Sequence, residues 1–194
     1  MKTIKKDIIT EIVINKSKFI CILTNIKNKI DVDEKLEYYK GIYKDATHYC
    51  SAYIIDGYMK CDDDGEPSGT AGMPILNVLK NNNLEHVLCI VIRYFVGVKL
   101  GAGGLVRSYS RSVSECVSNA EIVDLVDGYY IEICFNYDDT KIIDGYLKDI
   151  SIKKEFNERV IYSFKIDSSR YEKVKDLIAT KCQILKKEPI LVTV

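Results

Sequence analysis

From Val87 to Ile92 the chain reads VLCIVI, six apolar residues without a break, inside the longer run HVLCIVIRYF. A strand with one wet face alternates apolar and polar residues. A run apolar on both faces must be covered on both sides, so it predicts a central buried strand with layers above and below it. The 194 residues and 47% apolar content can supply such layers, in one large domain or two small ones.

The surrounding pattern gives the layers. Residues 7–14 and 18–26 read as two strands joined by a hairpin turn at NKS. Val32, Leu36, Tyr39 and Tyr43 lie at helical spacing across 31–43, with Asp31 or Asp33 as the cap. HYCSAYII is strand-like, and CDDDGEPSGTAG carries the Gly, Pro, Ser and Asp of a loop. Pro74 suits the first turn of a helix through ILNVLK. VGVKLGAGG is a second glycine loop, and a helix from Gly104 to about Asn119 buries Leu105, Tyr109, Val113, Cys116 and Ala120.

After IVDLVDG the pattern restarts. YYIEICFNY alternates as a strand, and DDTKIIDGYLKD is helical with Ile142, Ile143 and Leu147 inward. ISIKKEF and RVIYSFKID pair as strands, a helix capped by Ser168 or Ser169 follows, and CQILKKEPILVTV closes as a strand. The order βαββαβ is that of a ferredoxin-like sandwich. The expected class is therefore α+β in two domains, residues 1–127 and 128–194, with no flexible linker between them.

Charge and cysteine usage narrow the function. The 28 cations and 28 acids cancel, so nucleic-acid binding needs a local basic patch. The seven cysteines are odd in number and hold no C-x-x-C pair, which argues against a disulfide framework or zinc site. No continuous apolar segment approaches the ~20 residues of a membrane helix, and the N-terminus has no signal-peptide core. A reducing cytoplasm is the expected location, with no membrane partner.

Within the first domain, charge is segregated. From Cys61 to Leu79 there are four acids, Asp62, Asp63, Asp64 and Glu66, and no cation. From His86 to Ser114 there are four cations, Arg93, Lys99, Arg107 and Arg111, and no acid. Gly101, Gly103 and Gly104 permit close approach of an anion to the backbone, and the helix they introduce offers free N–H groups. Arg107 and Arg111 share a helix face. This is a plausible phosphate seat, with a tight turn carrying solvated arginines as the plain alternative. It matches neither established nucleotide loop: no Lys-Ser/Thr follows the glycines, and Val106 stands where a dinucleotide fingerprint ends in Gly. The acidic loop fails the calcium-loop spacing, since Met73 occupies the twelfth position from Asp62. Ion pairing with the cationic segment is the simpler use of it, with no metal or other cofactor assigned. His48 and Cys50 share a strand face and suggest a Cys–His nucleophile pair, against the commoner structural role. His86 reads as structural. Tyr53, Tyr94, Phe95 and Tyr109 are the aromatics available to stack on bases, although Tyr109 also belongs to a helix core.

The segments KSKFI, DATHYCSAY, DDGEPSGTAGMPILNVL and VIRYFVGVKLGAGGLVRSYS closely resemble the IMPACT family in its bacterial, YigZ-like form. The resemblance spans about Lys16 to Ser110. It implies an N-terminal α/β domain like domain 2 of ribosomal small-subunit protein five, a fold shared with domain IV of elongation factor G. The tail is similar to domain V of that factor. The matching signature residues are His48, Asp63, Asp64, Glu66, Arg93, Lys99 and Arg107. Val96 departs from the family pattern R-Y-F-G-G-x-K-L-G. If that position required φ > 0, a β-branched residue would be strained there. The resemblance brings no settled reaction, so no catalytic residue is assigned.

The leading expectation is a non-enzymatic RNA- or ribosome-associated protein with a translation-linked regulatory role. Lys99, Arg107 and Arg111 would contact phosphates, with Arg93 organising the site by pairing with Asp63 or Asp64. The alternatives are an enzyme acting on a phosphorylated small molecule or nucleotide, and a protein-interaction module using the ferredoxin-like sheet.

Overall fold

A computed structural model describes all 194 residues, Met1–Val194, as two compact α+β units, Met1–Val123 and Asp124–Val194.

Unit 1 is built on a five-stranded sheet; β1 (Lys2–Ile4) lies outside it, pairing with the strand that begins at Ile122, and Lys2 donates its N–H to Asn83 O and accepts from Glu85 N–H. β2 (Ile8–Ile14) and β3 (Ser17–Asn25) form the expected hairpin, and its Asn15 and Lys16 both take positive φ, the twist two-residue hairpin turns need. α1 (Lys29–Ile42) starts earlier than its apolar spacing suggested. Asn28 is the cap, accepting from the N–H groups of Ile30 and Asp31, whereas Asp31 itself accepts from Lys27 N–H.

β4 (His48–Ile55) turns through Asp56 and Gly57 into β5 (Tyr58–Asp62), α2 (Gly72–Asn81) leads to β6 (Val87–Tyr94), and α3 (Gly101–Ser118) follows. The sheet order is β2-β3-β6-β4-β5. β6 is thus central, as VLCIVI requires. Val87, Cys89 and Val91 face the core under α2 and α3, while Leu88, Ile90 and Ile92 face the core under α1. β5 was hidden in the sequence because its residues are exposed or half-buried and lead straight into the acidic loop. Gly72 begins α2 where a Cβ would stand 2.9 Å from Asp62 N, so no side chain fits between helix and strand.

In unit 2, β7 (Ile122–Phe135) enters from unit 1 and runs on past Gly128. A 3₁₀ turn at Tyr137–Asp139 and α4 (Thr140–Tyr146) precede β8 (Ile152–Phe156), β9 (Val160–Asp167), α5 (Ser168–Lys181) and β10 (Gln183–Thr193). The antiparallel order β10-β7-β9-β8 is the ferredoxin-like one. Ile131, Ile133 and Phe135 pack under α4 and α5 with Ile143, Leu147, Tyr171 and Val174. Ile142 is exposed rather than inward, because α4 is short and turns only Ile143 to the core. Asp167, not Ser168 or Ser169, caps α5 by accepting from Arg170 N–H at 2.9 Å. At Gly128 a Cβ would lie 2.4 Å from Ile166 O and 2.5 Å from Val192 Cγ2, so three strands close up only on glycine. No helix is long and apolar enough to cross a membrane.

Candidate functional site

Arg93 is the last inward-facing residue of β6, in register with Phe19 on β3 and His48 on β4. It is 4% exposed, and an arginine so placed needs a counter-charge. The acidic loop supplies it. Arg93 Nη1 donates to Glu66 Oε1 at 2.6 Å, and Nη2 stands 3.4 Å from Ser17 Oγ. The guanidinium carbon lies 5.5 Å from the centroid of Phe19 and 5.2 Å from that of Phe95. Glu66 Oε1 also accepts from the Tyr109 hydroxyl of α3 at 2.8 Å. Arg93 does not pair with Asp63 or Asp64. Those two carboxylates are occupied by backbone N–H groups, and Glu66 is the acid that the loop turns inward.

The loop folds that way by satisfying its own backbone. Asp63 Oδ1 accepts from Ala71 and Gly72 N–H at 2.9 and 2.7 Å, and Oδ2 accepts from Gly69 N–H at 2.7 Å, tying the loop to the start of α2. Burial pushes the Asp63 carboxyl up, but the three N–H donors outweigh it and hold its pKa below the usual value. Glu66 N–H donates to Asp63 O at 2.9 Å, closing a turn over Asp64 and Gly65, both at positive φ. Asp64 Oδ2 accepts from Tyr49 N–H at 2.6 Å, and Asp64 O accepts from His48 Nδ1–H at 2.8 Å. That second bond fixes the ring and leaves Nε2 3.9 Å from Glu66 Oε2.

Cys50 shares this side of β4, and its surroundings oppose a nucleophilic role. Its thiol lies 3.0 Å from Asp63 O, to which it donates, and 3.2 Å from Tyr109 Oη. Burial pushes its pKa up to about 12, and the nearby Glu66, Asp64 and Asp63 charges add to that, so the thiol stays neutral. Tyr109 is raised as well, first by burial and then by Cys50 and Glu66. His86 stands before the other end of β6, with Nε2 3.1 Å from Asp56 Oδ1, and takes no part here.

The remaining cations are outside. Lys99, Arg107 and Arg111 are exposed and form no ion pair. α3 starts at Gly101, three residues before the expected Gly104, so the glycines lie in its first turn. Only Gly101 of the three takes positive φ, and Gly103 and Gly104 are helical. No side chain caps that first turn. Its N–H groups therefore face outward beside Lys99, with Arg107 and Arg111 one and two turns on. Val96 has no positive φ. The bend falls at Gly97 (φ +70), bridged by Val98 N–H to Val96 O at 2.9 Å.

Unit 2 has its own concavity of about 510 Å³ lined by Lys153, Lys165, Arg170, Asp149 and Asp167 among others. Glu155 pairs with Lys153, and Arg170 donates to Lys148 O, so less of its charge is free.

The sequence profile of the Impact N-terminal domain matches residues 15–117, more than half of the chain. The IMPACT family member YvyE of Bacillus subtilis is 49% identical over 117 residues, which are 59% of this chain and 54% of that protein. The chain thus spans little more than half the length of that relative. The IMPACT family member YigZ of Escherichia coli is 33% identical over 109 residues, 54% of this chain and 53% of that protein. Among solved structures, one titled as a hypothetical protein covers 96% of this chain and 97% of its own, with a TM-score of 0.63 at 24% identity. That likeness concerns the fold alone.

Proposed function

Because the chain belongs to the IMPACT family, we propose that it is a translation-linked regulatory protein that binds RNA or the ribosome without catalysing a reaction. The carrying observation is the set of exposed, unpaired cations Lys99, Arg107 and Arg111 around the uncapped start of α3. Phosphates of a polymer satisfy both the cations and the helix N–H groups. The translation link rests on the resemblance of the motif-bearing domain to a ribosomal-protein fold. Arg93 contributes from inside: paired with Glu66, it holds the acidic loop and α3 together while leaving the outer cations unneutralised.

The test is RNA binding by the full chain across salt concentrations. The Arg107→Ala/Arg111→Ala variant should bind more weakly and lower the slope of log affinity against log salt by about one to two. Unchanged binding and slope would reject phosphate contact at α3.

One observation favours a second reading, an enzyme acting on a phosphorylated small molecule or nucleotide. His48, held by Asp64 O, presents Nε2 toward the buried Glu66 carboxylate. A nucleotide-dependent thermal shift lost in His48→Gln but kept in Arg107→Ala/Arg111→Ala would support that assignment.

A further inference from the structure

Of Tyr53, Tyr94, Phe95 and Tyr109, the aromatics with the chemistry to stack on a base, the fold leaves one. Tyr109 is fully buried, with its hydroxyl on Glu66. Tyr53 is 9% exposed in the core under α1. Tyr94 belongs to that same core, with its hydroxyl on Lys44 O and the Lys18 ammonium 5.5 Å from its ring centroid. Phe95 is 39% exposed.

Phe95 is also anchored. Its backbone N–H donates to Thr47 Oγ1 at 3.0 Å, and the buried Arg93 guanidinium lies 5.2 Å from its ring centroid. Arg93 is turned to the α2–α3 side of the sheet, where it meets Glu66 and, through it, Tyr109 of α3. Phe95 therefore lies against the same buried ion pair as the helix that carries Arg107 and Arg111. Only three residues lie between Phe95 and Lys99, so four Cα steps limit their separation to about 14 Å, and the bend at Gly97 shortens it further. Val96 and Val98, between them, are 53% and 41% exposed. A purely phosphate-binding surface has no use for an anchored aromatic ring and two exposed valines, whereas an unpaired base does.

Resting on the RNA binding proposed above, we propose that Phe95 is a stacking platform for an unpaired base. The site then prefers single-stranded RNA to duplex. In a duplex the bases are already stacked on one another, and a ring beside the helix gains nothing from them. In a single strand a base can leave its neighbours and lie on the ring while adjacent phosphates meet Lys99, Arg107 and the start of α3.

The experiment compares a fluorescent single-stranded RNA of about twelve nucleotides with its blunt duplex, by anisotropy on the full chain. Phe95→Leu keeps apolar bulk against Arg93 and removes the ring face. It should lower single-strand affinity about tenfold while leaving duplex affinity and the salt slope unchanged. Phe95→Tyr should retain single-strand affinity. Equal loss on both RNAs, or none on the single strand, overturns the stacking role while phosphate binding at α3 stands. A parent protein that binds neither RNA, or is insensitive to Arg107→Ala/Arg111→Ala, overturns the RNA assignment itself and turns the exposed Phe95–Val98 segment toward a protein partner.

Discussion

Arg93 and Glu66 meet at 2.6 Å inside unit 1, with side chains only 5% and 4% exposed. The pair joins β6 to the acidic loop, and Tyr109 adds α3 by donating to the same carboxylate oxygen. Separating two such charges costs more than the pair contributes, because the charge left behind is buried without a partner. Glu66→Ala should therefore lose about 3–5 kcal/mol of unfolding free energy in urea titration. The Glu66→Met/Arg93→Met double variant should lose clearly less than the Glu66→Met and Arg93→Met losses added together. Additive single losses below about 1 kcal/mol each would show that the pair is solvated and does not organise the site.

Asp63 should behave as a loop clamp rather than as a ligand. Asp63→Asn leaves one oxygen to accept, while the three N–H groups remain, so a loss of about 1–2 kcal/mol is expected. The pH dependence has a definite sign. The carboxyl titrates lower in the folded state than in the unfolded chain, so its stabilisation is complete above the unfolded value near 4. It fades as pH falls from there through the depressed folded value. Acid titration of stability should show a smaller drop in Asp63→Asn than in the parent. A parallel drop would place the acid sensitivity elsewhere.

At the alkaline end, Cys50 sets the direction. Its thiol is neutral to about 12 when folded, whereas the unfolded thiol ionises near 9. Its contribution is therefore complete below 9 and is lost as pH rises from there toward 12. Iodoacetamide at pH 8 should leave Cys50 unlabelled in the native protein and label it after unfolding, read by peptide mass mapping. Fast native labelling of Cys50 would favour the Cys–His nucleophile that its burial argues against.

What could be seen in the sequence follows from what periodicity records. VLCIVI fixed the central strand because burial on both faces leaves no alternation, and the stripe on α3 marked its inner side. The caps are not legible in the sequence: Asn28 and Asp167 stand among other Asp and Ser residues that compete for the role, and only backbone geometry chooses between them. The charge-opposed segments pointed to an ion pair, but not to its members. Asp63 and Asp64 look equivalent to Glu66 in a list. The turn over Asp64 and Gly65 directs Glu66 alone inward and leaves its neighbours to the backbone. Phe95 could not be separated from Tyr94 without knowing that β6 ends at Tyr94, which packs on the core, and leaves Phe95 exposed beyond it.

The departure at Val96 yields a test whose sign is informative. Were the backbone there left-handed, valine would be strained and Val96→Gly would stabilise the protein. Instead Val96 lies outside the positive-φ residues, is 53% exposed, and leaves the bend to Gly97. Glycine would then remove little packing and add freedom to the unfolded chain, so Val96→Gly should cost about 0.4–1 kcal/mol by urea unfolding. Gly97→Ala should cost at least as much, because a Cβ would be forced to φ +70. Stabilisation by Val96→Gly would reverse this assignment and place the strain of the loop at Val96, next to the ring proposed to receive the base.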